Sequence, residues 1–214
     1  MTDLAGAESP STHVPAPGAD AVPLHRRAID YRSYVDGENL IVVGRLRDTR
    51  PWAVDGPAVS TVHDMELRVR VRQIDMTITG VTVEMHTFPH MECPTIESAF
   101  DGLVGLSVAR GYTREVQTRF GGPRGCTHLE HLARSLGPVV VQSITSLRAR
   151  SVARGEAEDL LSTGMAGSPW ARDSCHIWAE AGIADQKLAA GWRPGVGSYP
   201  SPTLVSLLRQ DKRQ

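Results

Sequence analysis

Long apolar runs are missing from this chain. No window approaches the roughly 18 consecutive apolar residues of a membrane-spanning helix, and the N-terminus lacks the basic-then-apolar layout of a secretion signal. Cysteine is scarce: three residues at irregular spacing, an odd number that argues against the disulfide framework of a small secreted domain. Charge of one sign is also lacking. With a formal net charge of -1, no strong field selects nucleic acid or an anionic membrane surface. Lysine is confined to Lys187 and Lys212, and the arginine bias reads as that of a GC-rich genome. These absences point to a soluble cytoplasmic protein with reduced thiols and a small-molecule partner, with homo-oligomerisation left open.

What is present is patterned. Residues 1–23 are rich in Ala, Pro, Ser and Gly and cannot bury enough apolar surface to offset their ordering entropy, which predicts disorder. Residues 24–214 read as a single domain. Ile29 to Tyr34 and Leu40 to Asp48 read as strands joined by an Asp36-Gly37 turn, a hairpin signal. Met65 to Arg72 alternates apolar and charged residues without error, as a strand with one buried face does. Met76 to Thr87 follows as its return strand. Helices are expected from about Thr95 to Arg110, from Gly111 to Arg119, and from His128 to about Arg150. Pro138 should kink or split the last, because it removes a backbone donor. Glu156 to Leu161 reads as a short helix, Gly191 to Pro202 as loop and Leu204 to Arg209 as a short amphipathic tail. Strands first and helices after predict an α+β fold, an antiparallel sheet with helices packed on one face.

The sharpest local feature runs from Gly121 to His131. Thr127 followed three residues later by Glu130 reads as a capping box, with Thr127 as N-cap. Cys126 and His131 then hold the two positions where an apolar staple normally sits. A thiol beside a helix N-terminus is favoured as thiolate. With imidazole nearby, the pair suits zinc or iron, a Cys-His nucleophile dyad, or plain structure. Other ligand-type residues cluster at His63-Asp64, at His86, His90 and Cys93, and at Cys175-His176. Strand parity directs His63 to the buried face and Asp64 to the other. His86 falls on the solvated face with Arg68, Arg70 and Glu84. Cys175 and His176, near Trp170 and Trp178, read as packing.

Two resemblances follow. His63-Asp64-Met65 and Gly125-Cys126-Thr127-His128-Leu129 resemble the motifs of an uncharacterised bacterial domain family, over about residues 25 to 180. More distantly, the order of elements resembles the iron–sulfur scaffold fold of the IscU, NifU and SufU group. Val62-His63-Asp64 stands where that group has Cys-Gly-Asp, Phe88 to Cys93 where it has its loop cysteine, and Cys126 at its helix opening. Asp64, Cys93 and Cys126 match, while Val62 replaces the first scaffold cysteine. The second resemblance implies a mononuclear site of Cys93, Cys126 and one or two of His63, Asp64 and His128, holding zinc or a single iron. His131 or Glu130 would serve as acid/base. The expected function is a metal-dependent lyase, isomerase or hydrolase of bacterial catabolism or secondary metabolism. The alternatives are a non-catalytic iron–sulfur or sulfur carrier and a structural zinc domain.

Overall fold

The computed structural model describes residues 16–53, 60–109, 111–157 and 173–190. Four strands, β1 (Arg26–Asp36), β2 (Asn39–Thr49), β3 (Thr61–Arg72) and β4 (Thr77–Thr87), form an antiparallel sheet in the order β1-β2-β3-β4. Gly37 takes a positive φ of 57° in the two-residue connection from β1 to β2, the conformation that a tight hairpin asks of its first turn residue.

Alternation sets the two faces of the sheet. On β2, Leu40, Val42, Gly44, Leu46 and Asp48 are buried; on β3, Met65, Leu67, Val69 and Val71 are. The long helix α2 (Thr127–Ala153) covers this face with Leu129, Leu132, Ala133, Leu136, Val140 and Ile144. Full burial of each Leu or Val contributes roughly 1.5–3 kcal/mol, and this shared core fixes the register of strand against helix. Tyr31 of β1 lies over Gly44, where an added Cβ would come 2.5 Å from the ring. Its hydroxyl donates to the Leu132 carbonyl at 2.7 Å, so a gap in one strand seats the side chain that ties the sheet to α2. The resulting α+β arrangement has its helix on one sheet face, and none of its described helices is long and apolar enough to cross a membrane.

Several sequence expectations change. The helix predicted from Thr95 to Arg110 is instead a 3-10 segment, Cys93–Leu103. After it the chain pairs with the start of β4: Ile78 donates to Leu106 O and Val108 donates to Met76 O. That pairing, with Gly105 at φ 88°, takes the backbone groups that a longer helix would have needed. The next helix, α1 (Tyr112–Phe120), forms as expected. Pro138 does not split α2, which runs continuously through it; the proline ring is solvent-exposed, and the buried side chains on both sides hold the helix to the sheet. The helix also begins differently. Cys126 is the N-cap, with no side-chain cap hydrogen bond, so the Thr127/Glu130 capping box does not form. Glu130 instead faces Arg134 at 3.5 Å.

A last helix, α3, spans Ile183–Ala189. Before it, Asp173 to Trp178 forms a turn closed by Asp173 N–H donating to Trp178 O. Cys175 and His176 are exposed there rather than packed, because the turn directs them outward. Residues 1–15 of the expected disordered segment, residues 158–161 of the Glu156–Leu161 helix, Trp170, the 191–202 loop and the 204–209 tail lie outside the described residues.

Candidate metal centre

Asp48 stands at the end of β2 in phase with Leu40, Val42 and Leu46, so the alternation that buries the core also buries a carboxylate. It is 1% exposed. Its sheet neighbours are Arg27 on β1 and His63 on β3, which gives a basic residue on each side along one row of the helix-facing surface. Two irregularities flank this row: the β2–β3 register shifts at Asp48/Thr49 and the β3–β4 register at Asp64/Met65. Such bulges re-aim side chains at strand ends. The first turn of α2 then brings His128 over the row.

The geometry is close. Arg27 holds Asp48 at both oxygens, Nε to Oδ1 at 2.8 Å and Nη2 to Oδ2 at 2.7 Å. His63 Nδ1 lies 3.2 Å and His128 Nε2 3.5 Å from Asp48 Oδ2. The two imidazoles face one another with centroids 3.8 Å apart and planes tilted by 31°. One ligand atom from each of Asp48, His63 and His128 falls within 4.8 Å of the others. On the far side of His128, its Nδ1 is 3.7 Å from Cys126 Sγ. His25, more exposed, reaches Asp48 Oδ1 at 3.3 Å.

Electrostatics follow from this crowding. Burial alone would raise the Asp48 carboxyl, but the Arg27 hydrogen bonds and the charges of Arg27, His128 and His25 bring it down to about 2. His128 moves below its ordinary value of 6.5, first through burial and then through repulsion from His63, Arg27 and His131. A carboxylate held ionised and an imidazole held neutral are the states in which both bind a metal. The donor set of two imidazoles and one carboxylate fits zinc or non-haem iron, and it leaves positions for non-protein ligands. Arg27 occupies the supporting place that hydrogen-bond donors to ligating carboxylates commonly take.

Of the residues the sequence singled out, His63 and His128 meet here and Cys126 stands beside them. Asp64 does not join them. It points to the opposite face, where Arg45 and Arg47 donate to its oxygens at 2.7–3.0 Å; both guanidiniums hold the carboxyl below its ordinary value, the Arg45 hydrogen bonds most, against the effect of burial. Cys93 opens the 3-10 segment, half-buried, with its N–H donating to His90 O; it is not in the three-residue group. His131 is one turn beyond His128 and interacts with it electrostatically, while Glu130 is turned to Arg134. Asp48 was missed, although its parity with Leu40, Val42 and Leu46 marks an acid on a buried face. Arg27 gave no signal, because strand pairing alone places it. His86 is on the outer face beside Glu84 at 4.0 Å, as expected.

The model of a family described as a protein of unknown function matches residues 25–142, a span that contains every residue of this site. No curated protein and no solved structure matches.

Proposed function

Since the chain belongs to that family of proteins of unknown function (DUF2889), its reading must come from its own side chains, and we propose that it is a metal-dependent enzyme acting on a small molecule. Asp48, His63 and His128 hold zinc or a single iron. The observation that carries this reading is the convergence of three ligand atoms within 4.8 Å around a buried carboxylate. Three protein ligands and an open position favour catalysis over a closed structural site. The metal would supply Lewis acidity towards a carbonyl or a bound water, which suits a lyase, isomerase or hydrolase. Arg27 fixes the carboxylate, Cys126 steadies His128 through Nδ1, and His131 is placed to move a proton at the rim.

The test is metal content. Protein purified without added chelator, then loaded with zinc or Fe(II), is expected to bind one equivalent, and His63→Ala and His128→Ala to bind none. Stoichiometric binding that survives both substitutions, or folded wild-type protein that takes up neither metal, would overturn the reading.

A second reading, a non-catalytic carrier related to the IscU, NifU and SufU scaffolds, draws support from the Cys126 sulfur beside His128. It makes Cys126 and Cys93 exchangeable ligands. Cys126→Ser and Cys93→Ser would then abolish cluster or sulfur loading, whereas the enzyme reading keeps metal bound in Cys93→Ser.

A further inference from the structure

The far end of the sheet carries a second feature. A pocket of about 410 Å³ lies between the two hairpin turns and the later part of α2, lined by Glu38, Arg72, Ile74, Ile144, Leu147 and Arg148 among others. It is remote from the metal centre. Glu38 immediately precedes β2 and Asp48 lies near its far end, ten residues or roughly 33 Å apart at strand rise, and His128 to Arg148 spans roughly 30 Å of helix. The volume is within the range of small-ligand sites, near its lower end.

Two observations define what fits. Arg148 Nη1 is buried and has no hydrogen-bond partner among the described residues, and an unpaired buried donor of a charged group is costly enough to mark a place where an acceptor belongs. The other lining cation is already engaged: Arg72 donates to Asp75 through Nε and through Nη2 at 2.6 Å. Around Arg148 the walls are apolar, with Ile144 buried and Ile74 at the lip, 90% exposed. The floor is rigid, because Gln73 donates to both Gly37 O and Asn39 O and so locks one hairpin turn to the other. Glu38 stands on the rim. With Arg72 engaged by Asp75, Arg148 is the lining cation left for a ligand and Glu38 the lining acid, so one negative charge on the ligand is matched by Arg148 and a second would meet Glu38 without a cation of its own.

We propose that this pocket binds a small monocarboxylate, its carboxylate on Arg148 and its carbon chain against Ile144, Leu147 and Ile74. Guanidinium and carboxylate pair through charge-assisted hydrogen bonds, which are strongest where water is excluded. The site is independent of the metal centre, and its α2 wall lies beyond the residues shared with the family.

The test uses the full chain with hexanoate as probe, hexanamide as its uncharged analogue and inorganic phosphate as the dianionic competitor. Binding is read by calorimetry and by methyl chemical shifts of Ile144 and Leu147. Hexanoate is expected to shift both methyls saturably and to bind at least tenfold more tightly than hexanamide. Arg148→Gln should erase that difference. Ile74→Glu, an exposed position that leaves folding intact, should weaken hexanoate severalfold by placing a like charge at the lip. Equal binding of hexanoate and hexanamide, no saturable shift at either methyl, or phosphate binding as tightly as hexanoate would each overturn the proposal. So would hexanoate affinity unchanged in both variants.

Discussion

Asp48 is the residue on which most else turns. It is buried among an arginine and three histidines, and its carboxyl lies near 2, below the ordinary 3.8. A carboxyl lowered by folding stabilises the protein above its unfolded value and loses that contribution as pH falls through the folded value. Acid titration should therefore cost wild type about 2 kcal/mol between pH 4 and pH 2 at this one group. Asp48→Asn should show a smaller loss over that window in urea unfolding measured at each pH. The same substitution at pH 7 leaves Arg27 without its partner and should destabilise by about 2 kcal/mol, less than a fully buried pair because Arg27 is partly exposed. Stability unchanged at pH 7 would mean that Arg27 finds another acceptor. Asp64, held by Arg45 and Arg47, acts in the same direction on the other face.

At the scale of elements, two contacts control how α2 sits on the sheet. Tyr31 fills the space over Gly44 and bonds Leu132 O. Gly44→Ala should cost about 2 kcal/mol by overpacking the ring, and clearly less in a Tyr31→Ser background, a coupling that a double-mutant cycle measures directly. Pro138 is the opposite case. It sits exposed inside a continuous helix and denies Arg134 O its donor. Pro138→Ala should raise stability by about 1–3 kcal/mol, read as a higher melting temperature. A fall would show that the proline shapes a bend the packing needs. The sequence made the four strands legible, because alternation in Met65 to Arg72 and in Leu40 to Asp48 has one physical reading. The 3-10 segment was hidden, because pairing of residues 105–108 with β4 is a non-local event that no window of Thr95 to Arg110 contains.

For the whole molecule, α2 spans the sheet from one chemical site to the other: His128 at its start meets Asp48 and His63, and Arg148 near its end lines the pocket. Metal at the first site should stabilise the fold through mass action, by about 2.7 kcal/mol at a free concentration one hundred times Kd. Zinc is expected to raise the wild-type melting temperature, EDTA to reverse the rise, and His128→Ala to abolish it. A zinc-induced rise of equal size in His128→Ala would place the metal elsewhere.

By itself the sequence determined the sheet, its buried face, the helix that follows, and His63 and His128 as ligand-type residues. Those rest on local periodicity and residue chemistry, which a linear chain displays. Only the tertiary structure decided which acid joins them. Strand parity puts Asp48 on the buried face and Asp64 on the other, but parity does not say which buried-face residues of different strands stand side by side. The β2–β3 register sets Asp48 opposite His63 and the β1–β2 register sets Arg27 on its other side, while Asp64 lies under two arginines on the opposite face. Register is a relation between strands, so neither strand carries it alone.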